Sequence, residues 1–142
     1  MSSESTKPVL VVAGGRGWGQ SVRAPALVST QGFGVRYDLD QEAGIIGNRD
    51  HDLFGQSITG KILVFTQPKG GVAASWSLAG LNDRGMAPAG IVFRRASPIF
   101  VQGAIFAGIP IIDSLEDDPC DLAQTGDEIL LLPDEGRIEI FR

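Results

Sequence analysis

Short apolar runs separated by glycine, proline and polar turns predict a series of β-strands along the chain. The runs that we interpret as strands span residues 9–13, 26–30, 33–39, 44–47, 61–65, 89–93, 109–112, 128–132 and 137–141. The second and third runs flank Gln31 and Gly32, so we expect them to form a hairpin. The last two are expected to be joined across residues 134–136.

Two segments have apolar residues at helical spacing instead. The first follows Gly71, and Gly85 is a suitable residue to end it. Its apolar face consists of Ala74, Leu78 and Leu81. The second begins at Ser97 and Pro98, because serine caps free amides and proline fits the first helical position, and it runs to about Gly108.

The order of these elements predicts an α/β fold. The N-terminal half is rich in strands and loops, while the C-terminal half alternates strand, helix, strand, helix and strand. Such alternation favours a partly parallel sheet covered by helices. We expect residues 1–7 to be a flexible tail and residues 8–142 to form a single domain.

Composition narrows the class of protein. The 142 residues are 43% hydrophobic and 20% charged, which is typical of a globular chain. A net charge of −5 disfavours a general nucleic-acid-binding surface. The polar N-terminus does not look like a secretory signal, and every apolar run is far shorter than the roughly 20 residues of a bilayer span. We therefore expect a soluble cytoplasmic protein that binds neither nucleic acid nor membrane.

The sequence offers few metal ligands. A lone Cys120 allows no internal disulfide and cannot supply the several thiolates of an iron–sulfur cluster, and a lone His51 excludes a histidine-rich zinc site. We interpret both as surface residues without a chemical role. Asp113, Asp117 and Asp118 match no calcium loop, so they are interpreted as a solvated acidic loop. We therefore expect no metal site in this chain.

Glycine-rich segments are candidates for ligand contact. Residues 14–19 (GGRGWG) are interpreted as a surface loop, because no helix follows them as a dinucleotide site requires. Lys69, Gly70 and Gly71 lie between a predicted strand and a predicted helix, where free amides and a positive charge favour a carboxylate or phosphate. Arg94 and Arg95 follow the next strand and are expected at the same edge of the sheet, with Arg94 as the candidate for substrate binding. An ordinary glycine turn and a solvated pair of arginines beside a helix are the alternatives.

Several segments, in order, resemble the small subunit or swivelling domain of the aconitase X family. They are residues 24–29 (APALVS), 53–64 (LFGQSITGKILV), 85–91 (GMAPAGI) and 97–110 (SPIFVQGAIFAGIP), with the Lys69–Gly70 turn between the second and third. The resemblance implies a swivelling β/β/α fold and a large partner subunit that carries an iron or iron–sulfur centre. It also implies dehydration of a small anionic hydroxy acid, either cis-3-hydroxy-L-proline or mevalonate 5-phosphate.

One position departs from the family pattern. Members place a serine, regarded as the base, directly after the lysine- or arginine-glycine turn, whereas this chain has Gly71. The later serine of the motif matches Ser75, which we take as the catalytic candidate. Alternatively, the partner supplies the base, or the reaction has changed. The departure favours a substrate like cis-3-hydroxy-L-proline over mevalonate 5-phosphate.

Two other classes of function compete with a dehydratase subunit. A binding or regulatory module could retain the fold without the chemistry, as the missing serine suggests. A self-sufficient enzyme is the third class, but the chain lacks a complete acid–base set.

Overall fold

Eight of the strands form one mixed sheet in the computed structural model, which describes residues 7–70 and 72–142 without the side chains of residues 72–75. The strands are β1 (Leu10–Val12), β2 (Arg16–Trp18), β3 (Val22–Val28), β4 (Leu39–Asp40), β5 (Ile45–Ile46), β6 (Ile62–Phe65), β7 (Gly90–Phe93), β8 (Ile111–Asp113), β9 (Glu128–Leu132) and β10 (Arg137–Phe141). The helices are α1 (Val72–Asp83), α2 (Pro98–Ala107) and the single turn α3 (Pro119–Leu122). Residues 1–6 of the predicted tail lie outside the described residues.

The sheet is parallel in its centre and antiparallel at its sides. Its strand order is β1-β10-β9-β3-β6-β7-β8-β2, and β4 and β5 form a separate ribbon. β3, β6, β7 and β8 run parallel to one another, so their carboxyl ends meet at one edge. β9 and β10 are antiparallel neighbours, joined through a short 3₁₀ turn (Pro133–Glu135). The predicted α/β class and its partly parallel sheet are confirmed.

Apolar side chains cover both faces of the central sheet. Along β6, Leu63 and Phe65 pack on the side of α1 and α2, while Ile62 and Val64 pack on the side of α3 and β10. All four are fully buried, which explains why this strand is a continuous apolar run rather than an alternating one.

The helix ends follow the predicted signals. The hydroxyl of Ser97 accepts a hydrogen bond of 3.2 Å from the amide of Phe100, so serine caps α2 as expected. Gly108 ends the same helix in a left-handed conformation with φ of 74°. Gly85, with φ of 71°, follows α1 in the same way. Both helices were therefore predicted correctly.

The predicted hairpin at residues 26–39 is wrong. β3 pairs with β6 in parallel and with β9 in antiparallel register, and residues 30–38 form a loop. Phe33 and Val35 are fully buried, but they enter the core from that loop. These two residues alternate with glycine and arginine, which is the pattern expected of a strand. A loop that buries every second side chain produces the same pattern.

The glycine-rich segment 14–19 is a strand rather than a surface loop. β2 lies within it and pairs with β8. A Cβ atom at Gly17 would lie 2.6 Å from backbone atoms of Pro133, and one at Gly15 would lie 2.8 Å from the carbonyl oxygen of Asp113. The glycines therefore permit close backbone packing at the sheet edge, which a strand propensity scale does not reveal.

Candidate functional site

The carboxyl ends of β6 and β7 place the predicted cationic residues along one edge. Phe65 pairs with Phe93 at the end of the two strands. Beyond that pair, the amide of Arg95 donates a hydrogen bond of 3.2 Å to the carbonyl of Thr66. Lys69 and Arg94 thus follow adjacent strands at the same edge, as the sequence predicted, and ligands commonly bind at such edges.

Lys69 is held by a buried carboxylate. Its Nζ lies 3.1 Å from Oδ2 of Asp38, and Asp38 also accepts hydrogen bonds of 2.8 Å from Asn48 Nδ2 and from the amide of Gly34. Burial alone would raise the pKa of Asp38, but these three donors outweigh it and hold that pKa below its usual value. The positive charge of Lys69 is therefore largely balanced from within the fold.

The residues after Lys69 form the start of α1. Gly70 adopts φ of 92°, a left-handed conformation that glycine accepts without strain. Gly71 lies outside the described residues. Ser75 lies in the second turn of α1, but its side chain is also outside them. The roles assigned to both residues therefore stay predictions.

Arg94 and Lys69 do not pair with the same carboxylate. Its Nη2 lies 2.5 Å from Oδ2 of Asp118, and the hydrogen bond to that carboxylate raises the pKa of Arg94. Asp118 in turn caps α3, because its Oδ1 accepts a hydrogen bond of 3.0 Å from the amide of Cys120. The two predicted cations thus pair with two different carboxylates.

An open pocket of about 620 Å³ lies at the carboxyl ends of the four parallel strands. Its lining residues follow β3, β6, β7 and β8, and they are Thr30, Thr66, Gln67, Arg94, Arg95, Ser114 and Leu115. Arg94 contributes to it as predicted, whereas Lys69 does not line it. The sequence analysis missed the hydroxyl residues, although their positions just after predicted strands were a usable signal.

The turns that carry this pocket are tied together by β8. Oδ2 of the buried Asp113 accepts a hydrogen bond of 2.9 Å from the amide of Ala96 and lies 3.1 Å from Arg16. The amide of Ser114 donates one of 3.2 Å to the carbonyl of Arg94. Among the described residues, Ser114 is the one non-glycine residue with positive φ, at 61°. Such strained positions concentrate at functional sites.

The interpretations of three polar residues are corrected by their burial or by their hydrogen bonds. His51 is 3% exposed, donates from Nε2 to the carbonyl of Gly32 at 3.0 Å, and accepts at Nδ1 from the amide of Leu53 at 3.1 Å. It is a core residue that fixes a loop, not a surface residue. The predicted solvated acidic loop is wrong at Asp113, which is buried, and at Asp118, which caps a helix.

Cys120 is also buried rather than on the surface. Loss of hydration is the main cause that raises the pKa of its thiol to about 12, and the nearby carboxylate of Asp118 raises it further. A thiol with such a pKa carries almost no thiolate at neutral pH, so it is a weak nucleophile and a weak metal ligand. Within residues 7–70 and 72–142, no group of three or more His, Cys, Asp or Glu side chains is arranged to hold a metal ion.

The outer side of the two long helices exposes apolar side chains. Trp76 on α1 and Phe106 on α2 are 60% and 71% exposed and contact each other edge to face, with ring centroids 5.4 Å apart. Ile105 is exposed beside them and also lines a groove of about 340 Å³. We call Trp76, Ile105 and Phe106 the apolar helix face. None of the described helices is both long and apolar enough to cross a bilayer.

Comparison with known proteins places this fold in a family. A family model described as the aconitase X swivel domain matches residues 11–140. Phosphomevalonate dehydratase small subunits are similar: that of Methanopyrus kandleri is 37% identical, with 85% of this chain and 89% of that one covered. The subunit of Pyrococcus horikoshii is 36% identical, with 89% and 93% covered.

Two solved structures have the same architecture. A chain in the crystal structure of Thermococcus kodakaraensis aconitase X (holo-form) has a TM-score of 0.86 and 30% identity, with 94% of this chain and 99% of that chain covered. The solution NMR structure of a UPF0107 protein has a TM-score of 0.83 and 30% identity, with 94% and 100% covered. The swivelling-domain fold that the sequence implied is confirmed, and the chain belongs to the aconitase X swivel-domain family.

Proposed function

We propose that this chain is the small subunit of an aconitase X-type dehydratase and is active only together with a large subunit. The observation that carries this proposal is the family match across residues 11–140, combined with similarity over most of the chain to proteins named as small subunits. The position of the candidate site agrees with it. Lys69, Gly70 and the pocket lie together at the carboxyl edge of the sheet, where a second protein can approach them.

In this proposal the large subunit carries the iron or iron–sulfur centre. The chain has one cysteine, and that cysteine is buried with a raised thiol pKa. The small subunit instead binds and orients the substrate. Closure of the swivelling domain over the partner would exclude water and bring residues 69–75 against the substrate.

The proposed roles within the small subunit follow from charge and position. The anionic groups of the substrate are bound by Lys69, Gly70, Gly71 and Arg94. Ser75 is the base that takes the proton which the substrate loses when its hydroxyl group leaves. Asp38 holds Lys69 at 3.1 Å and so keeps the segment before α1 in place. Lys69 and Arg94 are each already paired with a carboxylate of the fold, so their attraction for a further anion is partly balanced.

Two substrates are candidates. The relatives are named phosphomevalonate dehydratase, which makes mevalonate 5-phosphate the first substrate to test. The glycine at position 71, where the family has a serine, instead favours cis-3-hydroxy-L-proline. Both carry a carboxylate, a group that arginine and hydroxyl side chains like those lining the pocket can bind.

The apolar helix face is the proposed contact with the large subunit. Trp76 on this face directly follows the catalytic candidate Ser75 along α1. The segment of α2 carries no charged residue, and exposed aromatic side chains commonly anchor protein interfaces. We expect Trp76→Ala combined with Phe106→Ala to weaken assembly by about tenfold or more. Phe54→Ala, which removes an aromatic ring of similar exposure elsewhere, is the matched control.

Co-expression with the large subunit tests the function. We expect a tag on this chain to recover an iron-containing complex that dehydrates mevalonate 5-phosphate or cis-3-hydroxy-L-proline. In that complex, Ser75→Ala should abolish turnover while leaving assembly unchanged, and Ser77→Ala should leave turnover intact. A complex that binds such a hydroxy acid tightly but dehydrates none would instead support a regulatory module. Turnover by this chain alone would show a self-sufficient enzyme.

A further inference from the structure

We propose that the pocket at the ends of β3, β6, β7 and β8 is a subsite for a phosphoryl group, with Arg95 as its principal cation. This inference rests on the proposed function and names the class of substrate that the site prefers, a phosphorylated hydroxy acid. Of the two arginines predicted at this edge, it makes Arg95 rather than Arg94 the main cation, and it adds a set of hydroxyl groups to the site.

The charge of Arg95 is not balanced by the fold. Arg95 is exposed and has no hydrogen bond or ion pair from its side chain within the described residues. Its neighbour Arg94 pairs with Asp118, and Lys69 pairs with Asp38. Arg95 is therefore the cation at this edge whose guanidinium is available to an incoming anion.

The other lining groups are suited to the same ligand. Thr30, Thr66 and Ser114 each bring a hydroxyl and Gln67 brings an amide, and none of the described lining residues carries a carboxylate. A terminal phosphoryl group presents three acceptor oxygens, so one guanidinium and several hydroxyl donors satisfy it better than they satisfy a carboxylate. The pocket of about 620 Å³ is larger than a phosphate, which leaves space for the rest of the substrate.

Hydrogen bonds connect the turns behind the pocket, and one residue there has a strained backbone. Asp113 binds the amide of Ala96, which fixes the turn that carries Arg95. The next residue, Ser114, adopts φ of 61° and ties its amide to the carbonyl of Arg94. A serine in this conformation costs free energy that a glycine would not, and strain of this kind is common at binding sites. The Ser114 hydroxyl accepts a hydrogen bond of 3.4 Å from Arg16, which leaves its own proton to donate to a bound anion.

Inorganic phosphate is the first probe. The full chain, labelled with ¹⁵N, is titrated with phosphate at constant ionic strength while amide shifts are recorded. We expect saturable shifts confined to the residues that line the pocket, and their loss in Arg95→Gln. Arg84→Gln, which removes another exposed arginine without a partner among the described residues, should bind phosphate as the wild type does. Absence of saturable shifts at the pocket, or equal loss in both variants, would overturn the proposal.

The two-chain complex provides the second arm. With mevalonate 5-phosphate, Arg95→Gln should raise KM by about tenfold or more, because a hydrogen-bonded charge is lost. With the phosphate-free cis-3-hydroxy-L-proline, the same variant should leave KM within about twofold. An equal effect on both substrates would assign Arg95 to general anion attraction and contradict a phosphoryl subsite. Phosphate binding at the pocket without any dehydration would instead remove the proposed function and leave the subsite standing.

Discussion

Lys69 and Arg95 follow adjacent parallel strands at one sheet edge, but of these two cations only Lys69 pairs with a carboxylate among the described residues. Lys69 lies 3.1 Å from the fully buried Asp38, whose carboxylate also binds two other donors. Arg95 has no such partner within the described residues and lines an open pocket. The first cation is thus part of the internal packing, and the second is free to bind a ligand.

The difference shows that charge in a sequence does not locate a binding site by itself. Lys69 stands beside two glycines and is the more conspicuous residue, but its counterion, Asp38, comes from the loop of residues 30–38, about thirty positions earlier in the chain. Lys69 therefore contributes to stability, and Arg95, at the end of the adjacent strand, contributes to ligand binding. Variants at each position should separate the two properties.

The largest expected effect is on stability at Asp38. Asp38→Ala leaves the amide of Gly34, Asn48 and Lys69 without their acceptor, and we expect the free energy of unfolding to fall by about 2–4 kcal/mol. Urea denaturation measures this. Asp50→Ala, at an exposed aspartate, should change it by no more than about 0.5 kcal/mol. If Arg95→Ala destabilised the chain as much as Asp38→Ala, the contrast between the two cations would be wrong.

A smaller loss is expected at the carboxylate behind the pocket. Asp113→Ala removes the acceptor of the Ala96 amide and the partner of Arg16. The free energy of unfolding should therefore fall by about 1–3 kcal/mol. Phosphate binding should weaken as well, because the turn that carries Arg95 is released. The same measurements on Asp117→Ala, an exposed neighbour, should show neither change.

The pH dependence of stability tests the hydrogen bonds and the ion pair that Asp38 forms, including the one with Lys69. Because the pKa of Asp38 is lowered in the fold, its contribution to stability is fully present above the unfolded value of 3.8 and is lost as the pH falls through the lower folded value. The stability gap between the wild type and Asp38→Asn should therefore narrow on acidification below pH 3.8. A gap that widened in acid would contradict the hydrogen bonds assigned to Asp38.

The smallest effect concerns Ser114. Ser114→Gly relieves the positive φ, so stability should stay equal or rise by less than about 1 kcal/mol, while phosphate binding weakens through loss of the hydroxyl. Thermal unfolding and the phosphate titration measure the two properties on one sample. A variant that lost stability and kept phosphate affinity would assign Ser114 to packing.

Much of the fold followed from local pattern. The continuous apolar run of β6 and the serine–proline start of α2 were both predicted, since burial on two faces and helix capping leave direct traces in the sequence. β2 was not predicted, because its glycines serve contacts with Pro133 and Asp113 that lie about a hundred positions away. Long-range packing of this kind leaves no local pattern.

The candidate site was predicted in part for the same reason. Strand order alone brought Arg94 to the edge beside Lys69. The partners of these cations, Asp38 and Asp118, lie in loops whose positions depend on the whole fold. Arg94 and Arg95 were both predicted at this edge, but Arg94 was chosen as the site residue because nothing in the sequence distinguishes a paired arginine from an unpaired one. Its significance follows from the absence of a partner among the described residues.

One reconstitution tests the central claim most directly. The purified large subunit is titrated with this chain, and dehydration of mevalonate 5-phosphate and of cis-3-hydroxy-L-proline is followed at each ratio. The account predicts no turnover by either chain alone and a rate that rises to a plateau at one small subunit per large subunit. A large subunit that dehydrates its substrate equally well without this chain would contradict the account.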